Sequence, residues 1–547
     1  MPQTPSLEDN DMAVLSVRNL TVTFGKDSVT AIKAIDFDVV ENETLCIIGE
    51  SGSGKSTTAF ALLGLLPGSA QVSGSVIFQS EDLICLPDAA LNRIRGKKIA
   101  MIFQEPMTAL NPVMTVGQQL TEPLVEHLGL SETDARKEAL SLLRTVKIPQ
   151  PDQRFKQYPH ELSGGMRQRV MIAMALACRP EVLIADEPTT ALDVTIQAEI
   201  LDLIKDIQAE RGLSVVFITH DLGVVARIAD RVIVMLNGEI VETGQARQIF
   251  NAPKHAYTQM LLSAALRADT VKERSVDTGA PNGQTPLLKV ENITKTYPGA
   301  RTGLLRRRVP VEAVRGISFS LRRGETLGIV GESGCGKTTL SRCILNLVQP
   351  TSGRILYDGQ DMTDQGPAAW REWRKKVQIV FQDPYSSLNP RLTVGRALAE
   401  PLKVHKGMAF KDALPIVKGL LDEVGLPIDA VDRYPHEFSG GQRQRIVIAR
   451  ALVLEPDLII ADEAVSALDV TIQAQILKLL KDIQARRGLS FLFITHDLAV
   501  LRDFCDRALV LYEGKVVEEG DVETLFTAPR EAYTRKLRDA APIPEIA

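Results

Sequence analysis

No uninterrupted apolar run in this 547-residue chain approaches the ~18–20 residues that a membrane-spanning helix needs. The N-terminal stretch MPQTPSLEDNDMA lacks a basic segment followed by an apolar one, so no secretory signal is expected and the cytosol is the expected compartment. Cysteine is scarce: Cys46, Cys85, Cys178, Cys335, Cys343 and Cys505 form no C-x-x-C pair, which argues against a disulfide framework or a zinc cluster. They read as reduced, mostly buried thiols. Neither sign of charge is in excess, with 63 Lys and Arg against 68 Asp and Glu, a net charge of −5. Such a chain has no global basic field to draw nucleic acid to it.

What the chain does have, it has twice. GESGSGKST occupies residues 49–57 and GESGCGKTT residues 331–339, each matching G-x-x-x-x-G-K-[ST] and each following an apolar, strand-like run, LCII or TLGIV. Other features repeat in step. Lys55 and Lys337 lie 282 positions apart, Gln104 and Gln382 278, and Ser163 and Ser439 276, as do Glu187 and Glu463 and His220 and His496. A single match could arise by chance; five in register, twice over, could not. The chain therefore divides into two halves of about 255 residues, 12–266 and 287–540, each large enough to bury its own core. Residues 267–286 are polar with Gly, Pro and Thr and read as a linker. A flexible coil of that length spans about 25 Å, enough for the halves to pair within one chain. Strands alternate with helices in each half, which implies an α/β core.

Each glycine-rich loop is suited to phosphate. The glycines Gly49, Gly52 and Gly54, or Gly331, Gly334 and Gly336, let backbone N–H groups turn toward phosphate oxygens. Lys55 or Lys337 adds a point charge, Ser56 or Thr338 a hydroxyl for Mg²⁺, and Ser51, Thr57, Ser333 and Thr339 complete the loops. Triphosphate with magnesium is the implied ligand. The apolar runs VLIADE and LIIADE end in paired carboxylates, so Asp186 and Asp462 are placed to hold Mg²⁺ and Glu187 and Glu463 to polarise an attacking water. The acid pair recurs in register after each Ser-Gly-Gly, which weighs against a reading as ordinary exposed acids. LSGGM and FSGGQ each precede RQR and a long apolar stretch. Ser163, Gly164 and Gly165, and Ser439, Gly440 and Gly441, thus form a second anion site at a helix N-terminus.

Ser-Gly-Gly after a glutamine loop, then Asp-Glu, Ala-Leu-Asp and a histidine, resembles the ATP-binding-cassette ATPases over nearly the whole chain. The resemblance implies two tandem P-loop NTPase domains, each a RecA-like α/β core with an antiparallel β subdomain and a helical subdomain. It further implies that Ser163 and Ser439 cap the γ-phosphate bound by the opposite half, so that Lys55 works with Ser439 and Lys337 with Ser163. Gln104 and Gln382 resemble glutamines that sense Mg²⁺ and the γ-phosphate, Asp193 and Asp469 the D-loop acids, and His220 and His496 the switch histidines. Phe24 and Tyr297 resemble the aromatic residues that stack on adenine. Plainer readings stand beside these: Phe24 and Tyr297 as core packing, the histidines as caps, the glutamines as surface residues. Neither half lacks a catalytic group, and two hydrolytic sites are expected. The second half reads DEAVSALD where the family often has DEPTSALD, so Ala464 and Val465 alter only the backbone after Glu463. Cys335, inside a phosphate loop at a helix N-terminus, reads either as an activated thiol or as a small residue filling a small slot.

The membrane path of a transporter would have to come from separate subunits, two permeases, served by an external solute-binding protein. The segments after each glutamine are apolar and proline-containing, as a docking surface requires. SLNP or ALNP after the glutamine loop and a closing P-x-x-x-Y-T, at 253–258 and 529–534, resemble the dipeptide, oligopeptide and nickel importer subfamily. The fused halves, with no cysteine after either Tyr-Thr, resemble the microcin C type of peptide importer ATPase. Arg301 and Arg306–Arg308 lie in an insertion of the second half and read as a lipid or permease contact, or more plainly as a solvated loop. A soluble twin-cassette protein acting on ribosomes or on damaged DNA is the other class. It fits less well, because the linker is short with Gly and Pro and no zinc-type cysteine cluster exists.

Overall fold

Five-residue runs such as TLCII and VLIAD offer no polar alternate position, and as strands they must be covered on both faces. A computed structural model of the chain describes residues 13–25, 29–189, 193–266, 285–298, 310–466 and 468–540. Nearly all of the expected linker, and Arg301 with Arg306–Arg308, lie outside the described residues. The chain separates into two compact units, one made of most residues up to 266 and the other of most residues from 267 to 541.

In the first unit a six-stranded sheet runs in the order Glu239–Gln245, Arg231–Leu236, Thr44–Ile48, Ser214–Ile218, Val182–Asp186, Ile99–Ile102. All neighbours are parallel except the first pair. Thr44–Ile48, Val182–Asp186 and Ser214–Ile218 are buried at every residue, as strands covered on both sides must be. One face meets a four-stranded antiparallel sheet, whose order is Val29–Val40, Ala13–Phe24, Ala70–Phe78, Glu81–Asp82. Its burial alternates along Ala13–Phe24, and Leu15, Val17, Val22 and Ile32 share a core with Leu45, Ile47, Ile184 and Val216. The opposite face carries helices. Val116–Leu128 and Glu132–Thr145 pack beside Gly164–Ala175 in a second core that includes Leu120, Leu143 and Ile172. Local sequence starts and stops these helices. Thr115 forms a capping box with Gln118, Gly129 ends the same helix in the left-handed region, and Ser131 caps the next.

The second unit repeats the plan, with the sheet order Val377–Val380, Leu458–Asp462, Ser490–Thr495, Thr326–Val330, Arg507–Tyr512, Lys515–Asp521. Its antiparallel sheet has Leu288–Tyr297 between Val311–Leu321 and Ser352–Tyr357. A local difference is aromatic: Trp373 meets Tyr357 edge-on at 4.8 Å and Trp370 at 6.0 Å. The tandem α/β architecture expected from the resemblance is the one found. Among the described residues no helix is long and apolar enough to cross a membrane.

The core of the second unit is tight enough to test directly. Phe493 is fully buried on a central strand and its ring centroid lies 4.8 Å from that of Phe504. Phe493→Ala is expected to destabilise this unit by about 3–5 kcal/mol, read as a lower urea midpoint by circular dichroism; a loss below about 1 kcal/mol would mean that the packing is looser than described.

Candidate functional site

Parallel strands release the chain at one edge, and that edge gathers the chemistry. Gly49 follows the strand ending at Ile48, Asp186 ends its own strand, Gln104 lies just beyond Ile102 and His220 just beyond Ile218. The loop from Gly49 enters the helix Lys55–Leu62 through Gly54, whose φ of 104° is left-handed. At Gly49 a Cβ would lie 2.3 Å from the Met235 carbonyl oxygen, so no larger residue fits. The second loop matches: Gly336 has φ 105°, and a Cβ at Gly331 would lie 2.3 Å from the Leu511 carbonyl oxygen. Ser51, Gly52, Ser333 and Gly334 are exposed at the loop mouths, while Thr57 and Thr339 sit half-buried in the first helical turns.

Both lysines are buried and turned into their own loops. Lys55 Nζ donates to the carbonyls of Gly49 at 2.7 Å and Glu50 at 2.9 Å, and Lys337 Nζ to those of Gly331 at 2.5 Å and Glu332 at 3.0 Å. Ser56 Oγ donates to Asp186 Oδ1 at 3.1 Å. Burial, the largest cause, and the Glu187 charge together push the Asp186 carboxyl up to about 6 against the Ser56 hydrogen bond and the Lys55 charge. In the second unit Thr338 Oγ1 reaches Asp462 Oδ1 at 3.4 Å, and Ser341 Oγ reaches Asp462 Oδ2 at 3.2 Å. Burial again raises the acid. A buried carboxylate beside a hydroxyl is an oxygen donor set that suits Mg²⁺, whose charge would offset the desolvation.

The structure joins three residues that lie far apart in sequence. Gln104 Nε2 donates to Glu187 Oε2 at 2.9 Å, and His220 Nδ1 lies 3.1 Å from Glu187 Oε1. In the second unit Gln382 Nε2 donates to Glu463 Oε2 at 2.8 Å, with His496 Nδ1 at 3.6 Å from the same oxygen. Glu187 and Glu463 have positive φ, 46° and 51°, and their N–H groups donate to Ile218 and Ile494 at 2.9 Å each. A non-glycine residue in that region costs about 1–3 kcal/mol, and the strain falls on the residue that the glutamine and the histidine face. Burial opposes ionisation of Glu463, but the close approach and charge of His496 and the charge of Lys337 outweigh it and hold the acid below its ordinary range. Reciprocally, Glu463 and Asp497 overcome burial and raise His496. A carboxylate kept ionised beside an imidazole is equipped to polarise water.

Ser163 and Ser439 cap the helices Gly164–Ala175 and Gly440–Leu452, accepting from the N–H of Met166 at 3.3 Å and Gln442 at 3.4 Å. The face of each helix start is open, because Gly164 and Gly440 are exposed. Gly165 and Gly441 are buried: a Cβ there would meet Ile196 at 3.0 Å and Ile472 at 2.5 Å. Asp193 and Asp469 precede the long helices Val194–Arg211 and Val470–Arg487. Phe24 and Tyr297 end the first strands of their antiparallel sheets, both half-buried; Phe24 borders the core and Lys295 Nζ lies 5.2 Å from the Tyr297 ring.

One of the two readings of Cys335 falls. Its side chain occupies the buried slot that Ser53 fills in the first unit, and burial pushes the thiol up, outweighing Lys337. The small-residue reading stands. Ser341, which braces Asp462, escaped the motif reading; its only signal was a hydroxyl residue where the first half, at the phosphate-loop offset, has Ala59.

The model of the family described as "ABC transporter" matches residues 32–190 and 314–466. The chain belongs to the ABC transporter family. Its two halves are ATP-binding cassettes, and the chain is an ATPase. A second model, "Oligopeptide/dipeptide transporter, C-terminal region", matches residues 241–293 and 517–547. The chain is 48% identical, over 100% of its own length and 92% of theirs, to the glutathione import ATP-binding protein GsiA of Escherichia coli O157:H7 and of Escherichia coli strain K12. Among solved structures it is similar to cbiO1 of Clostridium perfringens, 29% identical over 45% of this chain and 92% of that one, with a TM-score of 0.39.

Glu187→Gln combined with Glu463→Gln removes the negative charges and keeps the shape. ATP affinity is expected to persist while turnover falls roughly 10²–10⁴-fold, measured as steady-state phosphate release; turnover within tenfold of wild type would exclude the two glutamates from the chemical step.

Proposed function

We propose that this chain is the ATP-hydrolysing subunit of an importer for peptides or peptide-like solutes, with glutathione-sized peptides the first class to try. The observation that carries this reading is 48% identity along the whole chain to a glutathione import ATP-binding protein, together with a C-terminal region of the oligopeptide and dipeptide type in each half. A soluble protein acting on ribosomes or DNA lacks that support.

In this reading ATP sits on residues 49–57 and 331–339, with Lys55 and Lys337 meeting the phosphates. Mg²⁺ would be held by Ser56, Asp186 and Gln104, and by Thr338, Asp462 and Gln382, and when bound it neutralises charge on the phosphate oxygens. Glu187 and Glu463 aim a water, with His220 and His496 holding their orientation and charge. Phe24 and Tyr297 stack on adenine. The serines Ser163 and Ser439 each complete the ATP bound by the other half, so both cassettes are needed at both sites. The domains run from 12 to 266 and from 287 to 540, joined by the linker.

Transport requires partners: two permease subunits and an external solute-binding protein, with this chain held peripherally at the cytoplasmic side of a bacterial inner membrane. Met107, Val113 and Tyr385 support a docking role for the segments after the glutamines, being 57%, 79% and 66% exposed.

Purified from its own membranes in mild detergent, the tagged chain is expected to bring two multi-span permeases with it, identified by mass spectrometry. Proteoliposomes of that complex should take up glutathione or a short peptide only with ATP, and Lys55→Ala with Lys337→Ala should abolish uptake. Ribosomal proteins in place of permeases would contradict the proposal.

A further inference from the structure

The last helix of each unit stands outside the catalytic motifs, yet it reaches a phosphate loop. Before the helix Ala256–Leu266, Glu242 accepts hydrogen bonds from the N–H groups of Lys254 at 2.8 Å and His255 at 3.0 Å. Before Ala532–Ala540, Glu518 accepts from those of Arg530 at 2.9 Å and Glu531 at 3.2 Å. Charge-assisted bonds of this kind fix where the helix begins. They bring a tyrosine in its first turn to the loop: the Glu50 N–H donates to Tyr257 Oη at 3.0 Å, and the Glu332 N–H to Tyr533 Oη at 3.2 Å.

The peptide unit that is held is a particular one. The Gly49–Glu50 peptide offers its carbonyl to Lys55 and its N–H to Tyr257, and Gly331–Glu332 does the same with Lys337 and Tyr533. A glycine on one side makes rotation of that peptide plane easy, and a flip would turn its N–H and carbonyl away from both partners. Hydrogen bonds at both ends of one amide also polarise each other. Tyr257 is only 7% exposed, so water does not readily replace the phenol.

We infer that Tyr257 and Tyr533 are positioning residues that lock the first peptide of each phosphate loop in its nucleotide-binding orientation, giving the C-terminal region a direct role at the ATP sites. This rests on the assignment of residues 49–57 and 331–339 as the phosphate loops. Loss of the hydroxyl lowers the fraction of loops ready to bind, and the apparent affinity falls by that fraction.

The test uses the full chain. Tyr257→Phe with Tyr533→Phe keeps the rings and is expected to raise the KM for MgATP and the Kd for MgADP by about 5–10-fold, with kcat at saturation within about twofold. A merely structural tyrosine would instead lower the folded fraction, and so kcat, with KM and Kd unchanged; that result, or wild-type values throughout, would overturn the inference. Amide exchange in the unaltered protein offers a check that depends on no variant: the Glu50 and Glu332 N–H groups should be strongly protected, and exchange at the rate of an unfolded amide would count against the lock. Lys55→Ala with Lys337→Ala separates the two levels. If it binds MgADP as wild type does, the loop assignment fails; if it loses MgADP while the Phe variants keep it, only the tyrosine role fails.

Discussion

Everything at the two sites depends on the carboxyl edge of a parallel sheet whose strands are buried on both faces. Such strands cannot shift to expose a side, and their ends are therefore fixed points. From them the chain delivers a glycine loop, an aspartate, a glutamate, a glutamine and a histidine to one edge. The backbone at those points is unusual. Gly54 and Gly336 are left-handed where loop becomes helix, and Glu187 and Glu463 are left-handed without being glycine. Strain of this kind persists only because the sheet on one side and the helices on the other leave the residue no alternative.

The two sites are alike in plan and different in detail. Each has a lysine docked on two loop carbonyls and a glutamine and histidine facing one glutamate. The second has Ser341 on the free oxygen of Asp462 and a thiol in the slot that Ser53 fills. A second donor on the aspartate partly offsets the desolvation that raises its partner in the first unit. The halves thus differ around Asp186 and Asp462 while keeping the same glutamine and histidine at each glutamate.

Much of this was legible in the sequence, because the decisive motifs are contiguous. A phosphate loop is nine residues in a row, and the strand that ends in Asp-Glu is a short apolar run, so periodicity and spacing place them on the right elements. What was not legible is contact between distant segments. Gln104 and Glu187 are 83 positions apart and meet only because two strands lie side by side in the sheet. The tyrosines of the closing P-x-x-x-Y-T pattern were visible as a signature, but nothing local says that a phenol 207 residues from Glu50 accepts its N–H. Cys335 shows another limit. Its position at a helix N-terminus leaves open an activated thiol or a small residue in a small slot, and burial, which only the folded chain reveals, favours the second.

The central claim is that one chain carries two complete ATP sites. The most direct measurement is equilibrium dialysis of MgATP against the full chain bearing both Glu187→Gln and Glu463→Gln, in which bound nucleotide is not consumed. Two nucleotides per chain at saturation is the predicted result, and one or none would contradict the account.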